Sequence, residues 1–354
     1  MIDDILVIDG VVHAYNYVPE NMVEGVSWEM HGGMLHALHK AFCPAAAPHP
    51  WYLPIERLCT PDIEMLGRSL FEESRVDACI YHSLPIYSFF KDGGAPLRLG
   101  RDLRARWPGR VFLYGGMTPF RPDAMDEIDR LVEVDGVVGI KFYPLDLVEG
   151  RIVGFRMDDQ ALMYPLFERM IARGLKTVAM HKAMPFGPTH HEFFEVRDIG
   201  VAAADFPGLN FEIFHGGFGF LEETVRQLTY SPNVTVNLEG TGGLLVNAPG
   251  KFARILGEFL TIGAADRIVW GTGAPVQHPR LLLDAFWNFE MPQSLQEEMG
   301  FPAVTPEMKR AMLGGTQARI CGLDLDRLRQ DLQTGPGGLR TEVEPSIWGA
   351  PYVG

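Results

Sequence analysis

The sequence lacks the segments that direct a protein into or across a membrane. It begins MIDDILVIDG, which is acidic and has neither the basic start nor the apolar run of a signal peptide. No stretch approaches the roughly 20 apolar residues of a membrane-spanning helix. Cysteine is also scarce, and its four copies form no CxxC pair: Cys43, Cys59, Cys79 and Cys321. We therefore expect a soluble, cytoplasmic protein with reduced thiols and no membrane partner.

Positive charge is in short supply as well. The chain has 31 Lys and Arg against 45 Asp and Glu, a net charge of -14. A nucleic-acid-binding surface would need a basic stripe, so this class of partner is excluded in favour of a small-molecule substrate. What is present is apolar: 47% of the 354 residues are hydrophobic, enough for the large core of one α/β barrel.

Short β-branched runs alternate with helical stretches along most of the chain, which is typical of repeated βα units. The first run ends in DGVVH and not in a GxGxxG phosphate turn, which disfavours an open dinucleotide-binding sheet. We predict a (β/α)8 TIM barrel whose eight strands lie at Ile5–Asp9, Val76–His82, Val111–Gly115, Val137–Tyr143, Lys176–His181, Leu209–His215, Val234–Glu239 and Arg267–Gly271.

Three segments exceed a minimal barrel. Residues 16–65, a long insertion after strand 1, are predicted to form a lid within a barrel domain of residues 1–330. Residues 280–330 are expected to form helices outside the barrel. Residues 331–354 have the Gly and Pro content of an extended tail, whose Trp348 and Tyr352 are expected to dock, with a neighbouring subunit as one option. We expect a homodimer.

Polar side chains end or follow several predicted strands, where the βα loops of a barrel build its active site. A lone buried histidine is usually a hydrogen-bonded core residue, but three at equivalent strand ends are not explained by packing. Neutral imidazoles suit Zn, Fe or Mn, with one or two ions per chain. The predicted metal ligands are His13, Lys141, His181, His215 and Glu239.

Lys141 lies among apolar residues in VVGIKFYP, so its pKa is expected to fall because burial disfavours the ammonium form. A neutral amine could capture carbon dioxide and give a carbamate able to bridge two ions. A salt bridge to a nearby carboxylate is the alternative, and both remain open at this point.

The sequence resembles the amidohydrolase superfamily, in particular the branch that contains aminocarboxymuconate-semialdehyde decarboxylase. The resemblance covers roughly residues 4–320 and rests on VIDGVVHAY, VVGIKFYP, AMHKA, FEIFHGG and RIVWGTGAP, in this order. It implies that His13 binds one metal, that Lys141 is a carbamate bridge, and that His181 and His215 bind the second metal.

Two positions depart from the family pattern. Val11 stands where the family usually has the first histidine of HxH, and Gly273, in GTGAP, replaces the eighth-strand aspartate that binds metal and accepts a proton from water. The candidates to replace this base are Glu239, Asp9 and His278. Glu239 is favoured because it would lie beside the vacant position, although it could instead accept a hydrogen bond from a histidine N–H.

Further residues are predicted to line the substrate pocket: Tyr15, Tyr143, His82 and Arg197. We predict a metal-dependent hydrolase acting on a hydrophobic acyl substrate, with esters or thioesters favoured over amides because a thiolate leaves without a proton. Non-oxidative decarboxylation or hydration of an aromatic-derived acid is the second hypothesis. A catalytically degenerate barrel that only binds a ligand is the third.

Overall fold

Eight parallel strands form one sheet in the computed structural model, which describes residues 1–185, 189–335 and 338–351. Each strand pairs with the next along the chain, in the parallel order of repeated βα units. We number these barrel strands β1 Ile8–Val12, β2 Ala78–His82, β3 Val111–Met117, β4 Gly139–Phe142, β5 Thr177–Met180, β6 Asn210–Ile213, β7 Val234–Asn237 and β8 Ile268–Val269.

The sheet closes between its first and last strands. Gly10 N donates to Trp270 O over 3.0 Å, and His13 N donates to Ala274 O over 2.9 Å. These bonds join β1 and the residue after it to the segment that directly follows β8, so the predicted (β/α)8 barrel is confirmed. The barrel interior is filled by side chains that point inward from alternate strand positions, among them Ile8, Ile80, Tyr114, Ala179 and Phe214.

The first strand begins three residues later than predicted. Ile2 and Ile5 are as apolar as a strand requires, but they pair with each other across a tight turn in which Asp3 and Asp4 have positive φ. The strand itself therefore runs over Ile8–Val12. As a result Asp9 lies inside the strand, below its end.

The helices occupy the outer layer and the segments that exceed the barrel. Within the part of the chain that the structure describes, α1 and α2 belong to the insertion after β1, and five helices follow β8. Their bounds are α1 Trp28–Phe42, α2 Ile55–Cys59, α3 Ile63–Phe71, α4 Leu97–Arg106, α5 Ala124–Glu133, α6 Tyr164–Ala172, α7 Arg197–Asp205, α8 Leu221–Tyr230, α9 Leu244–Asn247, α10 Pro249–Thr261, α11 Pro279–Trp287, α12 Gln293–Met299, α13 Pro306–Arg310, α14 Thr316–Cys321 and α15 Leu325–Thr334.

Smaller elements complete the chain. An antiparallel hairpin of Leu145–Val148 and Arg151–Gly154, between β4 and α6, was not predicted. Ala311–Gly315 form a π-helical turn between α13 and α14. Short 3-10 helices occur at Pro19–Asn21, His191–Phe194, Thr241–Gly243 and Ala265–Arg267. Among the described residues, no helix combines the length and apolar content needed to cross a bilayer.

The C-terminal tail folds back on its own chain. Ser346–Ile347 and Ala350–Pro351 form a short antiparallel hairpin, and the Trp348 side chain between them is buried. Trp348 Nε1 donates to Trp51 O over 2.8 Å. This tryptophan thus docks on the insertion of the same chain and not on a neighbouring subunit. Tyr352 lies outside the described residues, and the homodimer stays a prediction.

Candidate active site

One cavity of about 60 Å³ lies at the C-terminal ends of the barrel strands. It brings together seven of the residues predicted from the sequence, contributed by the ends of β1, β4, β5, β6 and β7: His13, Tyr15, Lys141, Tyr143, His181, His215 and Glu239. These residues are spread along the chain from position 13 to position 239. They are neighbours only because the strands close into a barrel.

His181 and His215 form the centre of the cluster. His181 Nε2 lies 2.7 Å from Met184 O, and His215 Nδ1 lies 3.0 Å from Glu239 O and 2.8 Å from Glu239 Oε2. Carbonyl and carboxylate oxygens only accept hydrogen bonds, so both of these ring nitrogens must carry hydrogen. In the neutral rings, His181 Nδ1 and His215 Nε2 are therefore the nitrogens with free lone pairs.

Those two free nitrogens face each other over 3.0 Å. Two lone pairs at this distance repel unless a cation lies between or beside them. Burial, with smaller effects of His215 and Lys141, holds the pKa of His181 well below its usual range, so the His181 ring is neutral. Two nitrogens bound to one zinc ion at about 2.05 Å, in tetrahedral geometry, would be roughly 3.3 Å apart. The pair therefore fits a divalent ion.

His13 supplies a third neutral imidazole at the cavity wall. Its Nδ1 donates to His82 O over 3.0 Å, which leaves Nε2 as the unprotonated nitrogen. Burial lowers the pKa of His13 to about 4, against an opposing effect of Glu239. As the described side chains are placed, however, no three from His, Cys, Asp and Glu are arranged to hold one ion. The fit to a metal thus rests on the His181–His215 pair, with His13 nearby.

His215 also has an unusual backbone. Its φ is 57°, in the left-handed region that few residues other than glycine adopt. This conformation costs about 1–2 kcal/mol and is enriched at functional sites. His215 lies two residues after the end of β6 in FEIFHGG, and its Nε2 lies 3.0 Å from His181 Nδ1.

Glu239 fills the space that Gly273 leaves. A Cβ built on Gly273 would lie 2.5 Å from Glu239 Oε1 and 3.1 Å from its Cδ. An aspartate at 273 and the observed Glu239 position therefore exclude each other. Burial raises the pKa of Glu239, but His215, His13 and Lys141 outweigh it, so the pKa is lowered and the carboxylate is ionised. The described contacts make Glu239 a hydrogen-bond partner of a histidine N–H, the alternative left open by the sequence.

Lys141 is almost fully buried, with its ammonium nitrogen 2.9 Å from the centroid of the Phe214 ring. Burial lowers the pKa of Lys141 well below its usual range, although Glu212 and Glu239 oppose this effect. The neutral amine that a carbamate requires is therefore accessible. Glu212, in β6, is a buried carboxylate whose charge acts on Lys141, and burial raises the pKa of Glu212 to about 7.

Tyr143 contributes a hydroxyl with no hydrogen-bond partner among the described residues, although the oxygen is buried. Its ring is tilted against that of His181, with centroids 4.5 Å apart. Buried hydroxyls are seldom left unpaired, because each lost hydrogen bond costs about 1–3 kcal/mol. The Tyr143 hydroxyl is thus a free donor at the cavity wall.

The rest of the cavity is apolar, and most of this lining was not predicted from the sequence. Leu35 and Leu38 come from helix α1 of the insertion, so this helix covers the cavity as a lid. The remaining lining residues are Tyr17, Leu84, Ile86, Met184 and Phe214. The spacing of Leu35 and Leu38 within one helix was the available signal, but the sequence does not say which surface that helix covers.

Asp9 does not line the cavity, which contradicts its assignment as a replacement base. Its Oδ1 accepts hydrogen bonds from Val11 N and Thr272 N, and its Oδ2 accepts one from Thr272 Oγ1. The side chain is completely buried. The two bonds from Thr272 join β1 to the loop after β8, so Asp9 closes the barrel below the cavity.

The Asp9 carboxyl should make stability depend on pH. Burial raises the pKa of Asp9 from 3.8 to about 7, against its hydrogen bonds from Thr272 and Val11. The native state then keeps a proton that the unfolded chain has lost. The contribution of Asp9 to the free energy of unfolding is therefore fully present below about pH 4. It is lost as the pH rises to about 7, at a rate of at most about 1.4 kcal/mol per pH unit.

We therefore expect Asp9→Asn to lose this slope between about pH 4 and pH 7. Urea denaturation of both proteins gives their free energies of unfolding at each pH in this range. The difference between the two values isolates the effect of Asp9 from that of the other titrating groups. If the difference in free energy of unfolding between the two proteins is the same at every pH, the raised pKa of Asp9 is contradicted.

His278, the third candidate base, is also outside the cavity. It is buried and not exposed, with Nε2 3.0 Å from Glu73 Oε2 and Nδ1 accepting from Arg280 N. Both ring nitrogens are used, so His278 caps helix α11 and cannot reach the cluster.

Two predicted substrate contacts are also misplaced. His82 is completely buried beneath the cavity, where its Nε2 donates to Gly10 O over 2.9 Å and its ring packs on Tyr114 and Phe214. Arg197 is 62% exposed and pairs with Glu195 on the surface. None of the described residues that line the cavity is an arginine.

Comparisons with known proteins agree with this architecture. The sequence model of the amidohydrolase family matches residues 92–323. No curated protein matches the chain significantly. Three solved structures are similar at low identity. The 5-carboxyvanillate decarboxylase of Novosphingobium aromaticivorans, with manganese and 4-hydroxy-3-methoxy-5-nitrobenzoic acid, is 14% identical (90% of this chain, 97% of that chain, TM-score 0.58).

An amidohydrolase of Burkholderia multivorans with bound zinc is also 14% identical (90% of this chain, 100% of that chain, TM-score 0.56). A probable 2-pyrone-4,6-dicarboxylic acid hydrolase of Acinetobacter baumannii, with citric acid, is 10% identical (90% of this chain, 99% of that chain, TM-score 0.52). At these identities the three structures support the fold.

Proposed function

The chain belongs to the amidohydrolase family, and on this basis we propose that it is a metal-dependent hydrolase of a small carbonyl compound with an apolar or aromatic acyl portion. The observation that carries the proposal is the pair of unprotonated nitrogens, His181 Nδ1 and His215 Nε2, which face each other over 3.0 Å. Two neutral imidazoles whose free nitrogens face each other in a buried cavity suit a divalent ion such as Zn, Mn or Fe.

His181 and His215 would hold the ion, with His13 as a further ligand and a carboxylated Lys141 as the bridge if a second ion binds. A divalent ion at this position would polarise a carbonyl and make water more acidic. Glu239 is the single carboxylate among the described residues that line the cavity. Its hydrogen bond to His215 Nδ1 orients that imidazole, and its oxygens can accept the proton of the attacking water.

The other walls determine what can bind. The Tyr143 hydroxyl is free to donate to a substrate oxygen. Leu35 and Leu38 of the lid, with Phe214 below, offer an apolar surface for the acyl portion. The cavity of about 60 Å³ is small, so we expect the lid to move when an organic substrate enters.

Esters and thioesters are the favoured substrates. Amide cleavage requires a proton for the departing nitrogen, which the eighth-strand aspartate of the family would supply, and Gly273 cannot. A thiolate leaves without that proton. Glu239 must then serve only to activate water.

The test is hydrolysis by chelator-treated protein with and without added Zn²⁺ or Mn²⁺, using matched aryl-acyl thioesters, esters and amides. We expect activity only after metal is restored, with thioesters and esters turned over at least about tenfold faster than amides. Metal-independent turnover would refute the metal requirement. Equal or faster turnover of amides would refute the leaving-group argument alone.

Decarboxylation is the second candidate function. Lys141 is the single basic residue, histidines aside, among the described cavity-lining residues, and its ammonium form could bind the carboxylate of an aromatic acid. Release of carbon dioxide from hydroxybenzoates, in place of alcohol or thiol release from esters, would favour this reaction. A measured content of one metal ion per chain would agree with decarboxylation, and a content of two ions would favour hydrolysis.

Tyr143→Phe tests the substrate-oxygen contact. We expect folding stability to change by less than about 1 kcal/mol, because the lost hydroxyl has no described partner. Affinity for a substrate or product should fall by about 10-fold to 100-fold. Thermal unfolding and calorimetric titration with the best substrate's carboxylate product measure the two effects. Unchanged affinity would exclude the hydroxyl from the binding site.

A further inference from the structure

A fully buried carboxylate, Glu73, does not line the cavity and accepts hydrogen bonds from four donors. It accepts hydrogen bonds from His278 Nε2 over 3.0 Å, Ser346 Oγ over 2.9 Å, Trp348 N over 2.8 Å and Gly349 N over 2.8 Å. Its side chain has no exposed surface. Three of these four donors come from the tail hairpin, so Glu73 anchors the C-terminal end of the described chain.

The anchored tail in turn holds part of the insertion. Trp348 Nε1 donates to Trp51 O, and the Trp51 and Trp348 rings pack on the His278 ring with centroids 5.5 and 4.5 Å away. Trp348 O accepts a hydrogen bond from Arg57 of helix α2 over 3.2 Å. The insertion therefore contacts the tail through both its loop and its second helix.

The same loop is bound to the lid helix. Leu53 N donates to His39 Nε2 over 2.7 Å, and His36 Nε2 donates to Leu53 O over 3.2 Å. His36 and His39 lie next to Leu35 and Leu38 in α1, and these two leucines line the cavity. A chain of contacts thus runs from Glu73 through the tail and the loop to the cavity wall.

We infer that residues Ser346–Gly349, which we term the tail latch, hold the lid helix over the cavity by way of Glu73 and the loop Trp51–Leu53. The latch makes Glu73 and Trp348 positioning residues. Neither residue lines the cavity. Trp348 binds the loop to which the lid is attached, and Glu73 binds the backbone of Trp348. The inference concerns lid position and does not depend on the reaction proposed above.

Hydrogen–deuterium exchange of the full chain tests the latch, in Trp348→Ala and Glu73→Gln. We expect amides of α1 to exchange at least tenfold faster than in the unaltered protein, with amides of α5, on another side of the barrel, unchanged. Glu342→Gln, the same chemical change at an exposed tail position, is the matched control and should change neither helix.

Two results would overturn the inference. If the tail loses protection in Trp348→Ala while α1 keeps its own, the tail does not hold the lid. If α1 and α5 accelerate equally, the tail is a general stabiliser of the fold. Trp348→Ala leaves the buried Glu73–His278 pair intact, so it gives an answer even if Glu73→Gln fails to fold.

Discussion

His215→Asn is expected to lower the affinity for Zn²⁺ or Mn²⁺ by at least about 100-fold, because even residues that only support a metal ligand change affinity by 10-fold to 100-fold. Asparagine tolerates the positive φ of position 215, and its amide can still donate to Glu239. The substitution therefore removes the free ring nitrogen that faces His181 and keeps the local fold. Calorimetric titration of chelator-treated protein with each metal measures the change.

The control for this substitution is His191→Asn, since His191 is exposed at the start of the 3-10 helix after β5. It should leave metal affinity within about twofold of the starting value. Retention of full affinity in His215→Asn would mean that the facing nitrogens are not a metal site, and the proposed hydrolase would then lose its main support.

Gly273→Asp is expected to destabilise the protein by about 3 kcal/mol, even though it restores the residue usual in the family. The new Cβ would lie 2.5 Å from Glu239 Oε1, and position 273 has a φ of 66°. Steric overlap in a packed site costs about 1–3 kcal/mol, and the left-handed backbone adds about 1–2 kcal/mol. Two buried carboxylates side by side would also repel each other.

In a Glu239→Ala background, Gly273→Asp should lower the free energy of unfolding by about 2 kcal/mol less than it does in the unaltered protein. Alanine at 239 removes both the steric overlap and the repulsion between the two carboxylates. Urea denaturation of the two single variants and the double variant gives this coupling. Gly263→Asp is the matched control, since Gly263 has a φ of 70° with nothing within 4 Å of its Cβ position, and it should show the backbone cost alone. If the losses in free energy of unfolding of Gly273→Asp and Glu239→Ala simply add in the double variant, Glu239 does not occupy the space of the missing aspartate.

The Gly273–Glu239 pair shows what a departure from a family motif can mean. From the sequence, Gly273 is a lost carboxylate. In the structure, a carboxylate two residues beyond β7 occupies the same space, so the site keeps its negative charge. The hydrogen bond that Glu239 Oε2 accepts from His215 Nδ1, at 2.8 Å, is a consequence of this exchange.

Much of the architecture could be predicted because periodicity is local. The eight strand runs, the helices after β8 and the family resemblance all depend on residues close together in sequence. Strand ends were predicted to within a few residues, and in a barrel this is enough to place His13, Lys141, His181 and His215 at one end. The first strand was the exception, because an isoleucine pair across a turn has the same composition as a strand.

The sequence alone therefore determined the barrel, the family and the side of the sheet where chemistry would take place. Only the tertiary structure decided which polar residues at that end face the cavity. Asp9, His82 and His278 are as polar as the cluster residues, but their hydrogen bonds are taken up by Thr272, Gly10 and Glu73, each far away in the chain. Residue type and spacing fix a side chain's chemistry, whereas its partners follow from long-range packing.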